Sequence, residues 1–407
     1  MSKPITLSQL STMYKFILLF SALLSVTFSS AQSSDEDRII KTVHLEADDV
    51  LGDVLQSTID EYELSWLDSL IVTGVMTDDD FPFIVELSKT MRHLQGLNLS
   101  EAYCERIPNA GLSGALSLRW ISWPTGLKAI GGGFINHTMI KKLTLPLPEV
   151  DFTSAFHGNR YISSVVVPEG YKRISKKAFC DASTLTEVVL PSTLETISEE
   201  AFENANRLSH IDLPNSITQL SPHCFRSLNS CEEIELPDNI EEIPMLAFAW
   251  CTNLSKVKLP KHLKRVKERA FAQDWALLEV ELPSEVEELE YKSFDFSRIQ
   301  VWRCLGSVPP QCPTQTPYSG SPELKPEDLP SEWAVLHIPA GTRAAYEAAP
   351  FWKEIKTIIE DIPSVVQPVR IQNTPAAPLY DLQGRRVDAE PQKGIYIRNG
   401  RKVVRTK

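Results

Sequence analysis

The chain has no excess of positive charge: its 407 residues carry 41 Lys and Arg against 53 Asp and Glu, a formal net charge of −12. General nucleic-acid binding is excluded as a function class, because contacts to phosphate need clustered basic side chains. Beyond the first thirty or so residues no segment approaches the roughly 18 consecutive apolar residues of a membrane-spanning helix, so no transmembrane span is expected. Enzyme signatures are also missing. "GLSG" at Gly111 to Gly114 is not a nucleophile elbow, "GGGF" at Gly131 lacks the dinucleotide-binding glycine spacing, and no zinc-protease or phosphate-loop motif occurs. No CxxC or HxxxH spacing supports a metal site. "TDDDF" at Thr77 lacks the distal Glu of a calcium loop and reads as the acidic start of a helix. No cofactor and no enzymatic activity are expected.

The seven cysteines are odd in number. Cys180, Cys224, Cys231 and Cys251 fall at or beside repeated apolar positions and read as buried free thiols. Cys304 and Cys312 are the best candidates for a disulfide.

What the chain does have is a period. Phe156, Phe179, Phe202, Phe225, Phe248, Phe271 and Phe294 follow one another at 23-residue steps, with Phe134 a further 22 residues upstream. Other columns keep the same step: Leu185, Leu208, Cys231, Leu254 and Leu277; Val188, Ile211, Ile234, Val257 and Val280; Ile174, Ile197, Leu220, Ile243, Val266 and Leu289. Pro168, Pro191, Pro214, Pro237, Pro260 and Pro283 punctuate them. A fixed period in the twenties marks a solenoid, whose units bury their apolar faces only by stacking on one another.

Within a unit, Val188 and Leu190 alternate with Glu187 and Val189, the period of a half-buried strand, and Pro191 ends it. "SEEAF" then predicts a Ser198 cap and a short helical turn carrying Ala201 and Phe202 inward. The expected fold is an α/β solenoid: a parallel strand ladder with short helical turns, plus a small C-terminal β module.

The chain divides accordingly. Residues 1–31 read as a signal peptide, with Lys15 before an apolar run from Phe16 to Phe28 and small residues to Ala31; translation starts at Met1 or Met13. Residues 38–96 form an N-terminal cap of helix, strand and helix, 97–306 the repeat solenoid, and 307–361 an irregular Pro-rich insertion with a closing coil. Residues 362–377 are a linker and 378–407 a β module, whose "IYIRNGRKVV" predicts a hairpin with a type I′ turn at Asn399-Gly400. From residue 362 onward the chain carries +6, leaving −18 on the rest.

With strand, Pro, "I-x-x-x-A-F" and the 23-residue step, the chain resembles the BspA-type leucine-rich repeat family of bacterial surface proteins, over roughly residues 97 to 360. It departs from other leucine-rich repeats in lacking an Asn ladder, since Thr193, Ser216, Asn239, His262 and Glu285 stand there. The tail, through "LYDLQGRRV" and "KGIYIRNGRKVV", is similar to the C-terminal sorting segments of type IX secretion. The resemblances imply a secreted protein on the cell surface, outside the outer membrane, adhesin-like, binding a host or cell-surface protein or glycan and meeting export machinery through its tail. The alternative is a structural or envelope-assembly component without a soluble ligand.

The candidate partner-binding face is what the repeat leaves free on the strands. One outward column holds Ser164, Glu187, His210, Glu233, Lys256 and Glu279, the next Val166, Val189, Asp212, Glu235, Lys258 and Glu281. Strands about 4.8 Å apart set Lys256 and Lys258 between acid pairs on both sides. This reads either as a solvated charge ladder or as a binding face for a basic or calcium-bridged partner. A glycosidase acid/base pair at Glu233 and Glu235 is disfavoured, since an open charged face offers no burial to separate their pKa values. Trp120 is either an outward aromatic anchor or packed beneath a neighbouring segment.

Overall fold

The computed structural model describes residues 38–146, 150–295, 298–312 and 330–363, and within the tail four short strands. The signal-peptide stretch, most of the Pro-rich insertion and the Asn399-Gly400 turn lie outside the described residues.

Three lines of backbone hydrogen bonds join the coils of the solenoid, the two strand lines with breaks. The first line is the expected strand ladder. In Glu187–Val189 the central valine is buried and its neighbours point outward, and the strand pairs parallel with Ser164–Val166, Glu187 opposite Ser164. The second is a ladder of two-residue strands. Arg173–Ile174, Thr196–Ile197 and Gln219–Leu220 pair in parallel, as do Glu242–Ile243, Arg265–Val266 and Glu288–Leu289. Each of these strands turns its aliphatic residue inward.

The third line runs along the Phe turns, where the expected helical turn takes another form. Glu200 and Asn204 have φ of 57° and 59°, in the left-handed region, and the same pair of positions is left-handed in the following coils, as at His223 and Ser227. The Phe202 N–H donates to the Cys224 carbonyl of the next coil at 2.9 Å rather than back into its own turn, and Phe225 donates to Ala247 likewise. Bonding between coils satisfies these amides at every step, so the chain has no need of the i→i−4 pattern of a helix.

The Phe column fills the interior. Phe156 through Phe294 are essentially inaccessible, and successive rings stack with centroids 4.9 to 5.6 Å apart and planes within 16°. A ring spacing of about 5 Å is the strand spacing carried into the core.

The two ends close the stack differently. At the N-terminus the cap opens on a strand, Ile39–Leu45, where a helix was expected, because Val43 and Leu45 alternate inward. Helices Leu51–Thr58, Glu61–Ser65 and Asp80–Thr90 follow, interleaved with strands Leu67–Val75 and Gly96–Tyr103 in a parallel sheet that continues into Trp120–Ser122. Asp80, within the acidic "TDDDF", is buried and fully engaged. It accepts the Leu51 N–H at 2.9 Å and the Thr77 N–H at 2.7 Å, fastening one helix start to another.

At the other end the strands Glu279–Leu282, Val301–Cys304, Val335–Pro339 and Thr357–Ile362 form a parallel sheet. Trp302 meets Phe294 edge-on at 5.8 Å and Trp352 at 5.4 Å, ending the ring column with an aromatic plug.

The disulfide considered for Cys304 and Cys312 is not formed. All seven cysteines are free: Cys304 is a core thiol and Cys312 is half-buried, while Cys180, Cys224, Cys231 and Cys251 are buried as expected. Burial raises the Cys304 and Cys312 pKa values, keeping both as thiols.

Residues 363–407 form a separate unit. Its strands Leu379–Tyr380, Arg386–Val387, Gly394–Arg398 and Arg401–Arg405 form an antiparallel sheet, with Arg398 opposite Arg401. Among the described residues no helix is long and apolar enough to cross a membrane.

Candidate functional site

The strand face carries its charges in pairs. Glu233 lies opposite Lys256 and Glu235 opposite Lys258 in register; Lys256 Nζ is 3.6 Å from Glu233, and Lys258 bonds directly to Glu235. The Glu235 carboxylate raises the Lys258 pKa, favouring the charged ammonium. Among the described residues these lysines form their ion pairs on the Glu233–Glu235 side. Among the described residues Lys256–Lys258 has its ladder partner in Glu233–Glu235, and Glu279 bonds Arg303 at 2.7 Å, with Glu281 in register opposite Arg303. Glu279–Leu282 belongs to the closing sheet, beside Val301–Cys304.

The ladder is interrupted where His210 and Asp212 stand. Residues 209–213 form no strand pairing, although Ile211 remains buried, and the sheet ends at Glu187–Val189 and resumes at Glu233–Glu235. His210 Nε2 lies 2.9 Å from Asp212 Oδ1 within the same segment. A crevice of about 370 Å³ opens there, lined among others by His210, Asp212, Glu233, Glu235, Lys256 and Lys258. The structure thus gathers six of the sequence-derived residues at one concavity. Glu187, Glu279, Glu281 and Trp120 lie outside it. Glu233 and Glu235 are both exposed and lie opposite lysines.

Trp120 is both packed and exposed. It stands opposite Gly96 in the cap sheet, and its ring occupies the space beside that glycine, although the indole keeps one exposed edge.

A second surface was not anticipated from the sequence. On the turn side, Trp250 and Trp275 are exposed, the Arg226 guanidinium lies 4.5 Å from the Trp250 ring centroid, and that of Arg298 lies 5.7 Å from Trp275. Trp250, Trp275 and Arg298, together with Arg269 and Gln273, border a groove of about 600 Å³. A signal was present: Trp250 follows Asp181, Asn204 and Ser227 in one 23-residue column, an indole where polar residues precede it.

A third cluster lies in the neighbouring column, immediately after the Phe residues, where His157, Cys180, Glu203 and Arg226 occupy successive coils. Glu203 is buried and bonds Arg226 at 2.7 Å, while Glu200 bonds Lys177 at 3.0 Å. Burial, reinforced by Asp181, Glu203 and Glu200, pushes the Cys180 thiol up to about 12. Burial and a hydrogen bond with Glu200 raise the Glu203 pKa against the opposing pull of Arg226.

Comparison with known proteins assigns the scaffold. Residues 90–183 and 172–300 match the BspA type leucine rich repeat region, in six copies, and the chain belongs to that family. The family is a repeat scaffold of the kind that typically binds partners rather than an enzyme family. A search of curated proteins finds no match. Among solved structures, a leucine rich repeat protein of T. pallidum is 26% identical over 40% of this chain and 73% of its own, with a TM-score of 0.33. A leucine-rich repeat protein from Bacteroides ovatus is 18% identical over 71% of this chain and 88% of its own, with a TM-score of 0.41. The pneumococcal vaccine antigen PcpA is 15% identical over 72% and 85%, with a TM-score of 0.27.

Proposed function

We propose that this is a secreted or cell-surface binding protein, adhesin-like, that presents its strand face to a protein or glycan partner, with the crevice at His210 to Lys258 as the contact. The observation that carries this reading is the break in the ladder. It sets a polar concavity into the strand surface, beside the charged rows of Glu233–Glu235 and Lys256–Lys258. Family membership supports a binding role, and the signal-like N-terminus and sorting-like tail support export to the surface.

Binding of the full chain to arrayed matrix proteins and glycans tests it. Glu235→Lys with Lys256→Glu reverses two exposed charges at the crevice and should weaken any captured ligand at least tenfold; capture unchanged by the pair rejects the strand face. A second reading is favoured by the indoles of Trp250 and Trp275 with their arginines. That surface suits an anionic sugar, whose ring stacks on an indole while its acid group meets a guanidinium. Loss of glycan capture in Trp275→Ala, with the crevice variant still binding, selects it.

A further inference from the structure

We propose that His157, Cys180 and Asp181 form a binding site for a single zinc-type divalent ion on the Phe-turn side of the solenoid. Nothing in the partner-binding reading requires this site.

The geometry is specific. The ligand atoms of these three residues all lie within 4.8 Å of one another. His157 Nε2 is 3.2 Å from Asp181 Oδ2, and Cys180 Sγ is 3.7 Å from the same oxygen. Zinc bonds of about 2.0 to 2.3 Å in a tetrahedron place nitrogen and oxygen ligands about 3.4 Å apart and sulfur and oxygen about 3.6 Å apart. The two edges to Asp181 Oδ2 therefore match a tetrahedral set, with the third edge within 4.8 Å, and one nitrogen, one sulfur and one oxygen donor suit zinc or cobalt better than calcium or magnesium.

The fold holds each donor in place. The Gly158 N–H donates to the Cys180 carbonyl at 2.8 Å, and the Asp181 N–H donates to the Glu203 carbonyl at 2.8 Å, which locks the coils in register. Asp181 is left-handed, with φ of 58°. Its Oδ1 accepts the Asn204 side-chain amide at 2.8 Å, leaving Oδ2 turned toward His157 and Cys180. An outer hydrogen bond of this kind orients a ligating carboxylate. Cys180 is buried while His157 and Asp181 are half-exposed, so an ion can enter from solvent and leave its fourth position to water.

A competing set, Cys180 with Glu200 and Glu203, also satisfies the distance condition. Its carboxylates are already bonded to Lys177 and Arg226, so an ion there would have to displace two cations.

The repeat supplies variants that fold. Alanine stands in the Cys180 column at Ala249 and Ala272, and asparagine stands in the Asp181 column at Asn204, which makes Cys180→Ala and Asp181→Asn compatible with the coil. The test is titration of the reduced full chain with cobalt(II), read by the sulfur-to-cobalt charge-transfer absorption and followed by zinc competition. The expected result is one equivalent bound with that band, displaced by zinc, with the band abolished in Cys180→Ala. Affinity should fall at least tenfold in Asp181→Asn and in His157→Ala, and stay unchanged in Glu200→Gln. The proposal is overturned by absence of the band, by its survival in Cys180→Ala, or by binding that depends on Glu200 and not on His157.

Discussion

The indole of Trp120 fills the space where a side chain on Gly96 would begin: a Cβ built on that glycine would stand 2.2 Å from Trp120 Cζ2. The two residues are opposite one another in neighbouring parallel strands of the cap sheet. The indole lies across the partner strand and needs a residue without a side chain beneath it. Gly96→Ala should therefore lower stability by roughly 1 to 3 kcal/mol, the usual penalty for forcing extra volume into a packed site. Adding Trp120→Ala to that variant should recover part of the loss. Urea unfolding of the two single variants and the double variant measures the coupling, and strictly additive effects would show that the contact carries no energy.

The Phe column makes a separate prediction. Phe225 stacks between Phe202 at 5.6 Å and Phe248 at 5.4 Å, with no accessible surface. Phe225→Ala should cost about 3 to 5 kcal/mol, since it removes a buried ring and leaves a gap in a rigid row. Phe225→Leu should cost less. An unfolding midpoint unmoved by the alanine substitution would place the ring outside the core.

The period made these core residues legible, because the burial of a repeated position is demanded in every coil and so is written many times. Phe134 through Phe294 and the Ile174 to Leu289 column are all buried as their spacing required. Features that occur once are harder to read. No local property of His210 or Asp212 distinguishes their strand, whose Ile211 is inward like its counterparts, from the coils that do pair. The turn geometry also escaped, because a non-glycine residue with positive φ, such as Glu200, leaves no mark in composition. The strand at Ile39–Leu45 was missed because it precedes the regular repeat. Trp250, and His157 with Cys180, were visible only as unusual occupants of columns otherwise filled by other residue types.

Asp274 predicts a pH dependence. It is buried, its Oδ1 accepts the Cys251 N–H at 2.8 Å, and its Oδ2 has no hydrogen-bond partner. Burial raises its pKa well above the usual carboxylate range. A group raised on folding contributes stability that is complete below its unfolded pKa of about 3.9 and is lost as pH rises through the folded value. Asp274→Asn removes that titration while keeping the acceptor for Cys251. The variant should match the wild type near pH 4 and exceed it at neutral pH, by roughly 1 to 3 kcal/mol, the cost of a poorly satisfied buried group. Urea unfolding across this range checks it, and a difference that does not grow with pH would contradict the assignment.

The tail provides the last test. Residues 363–407 are a unit apart from Met1–Ile362, and they carry a net positive charge while the remainder is strongly acidic. The coils are already closed by the strand Thr357–Ile362 and by the Trp302 and Trp352 plug, both of which lie before the division. Deleting residues 363–407 should thus leave the melting transition of the solenoid unchanged. If the tail is an export address, the same deletion should hold the protein inside the producing cell while its fold survives. Fractionation of cells expressing the two forms, alongside their melting curves, separates the roles: a shifted melt would make the tail part of the solenoid's stability, and normal delivery of the shortened chain to the surface would remove the sorting role.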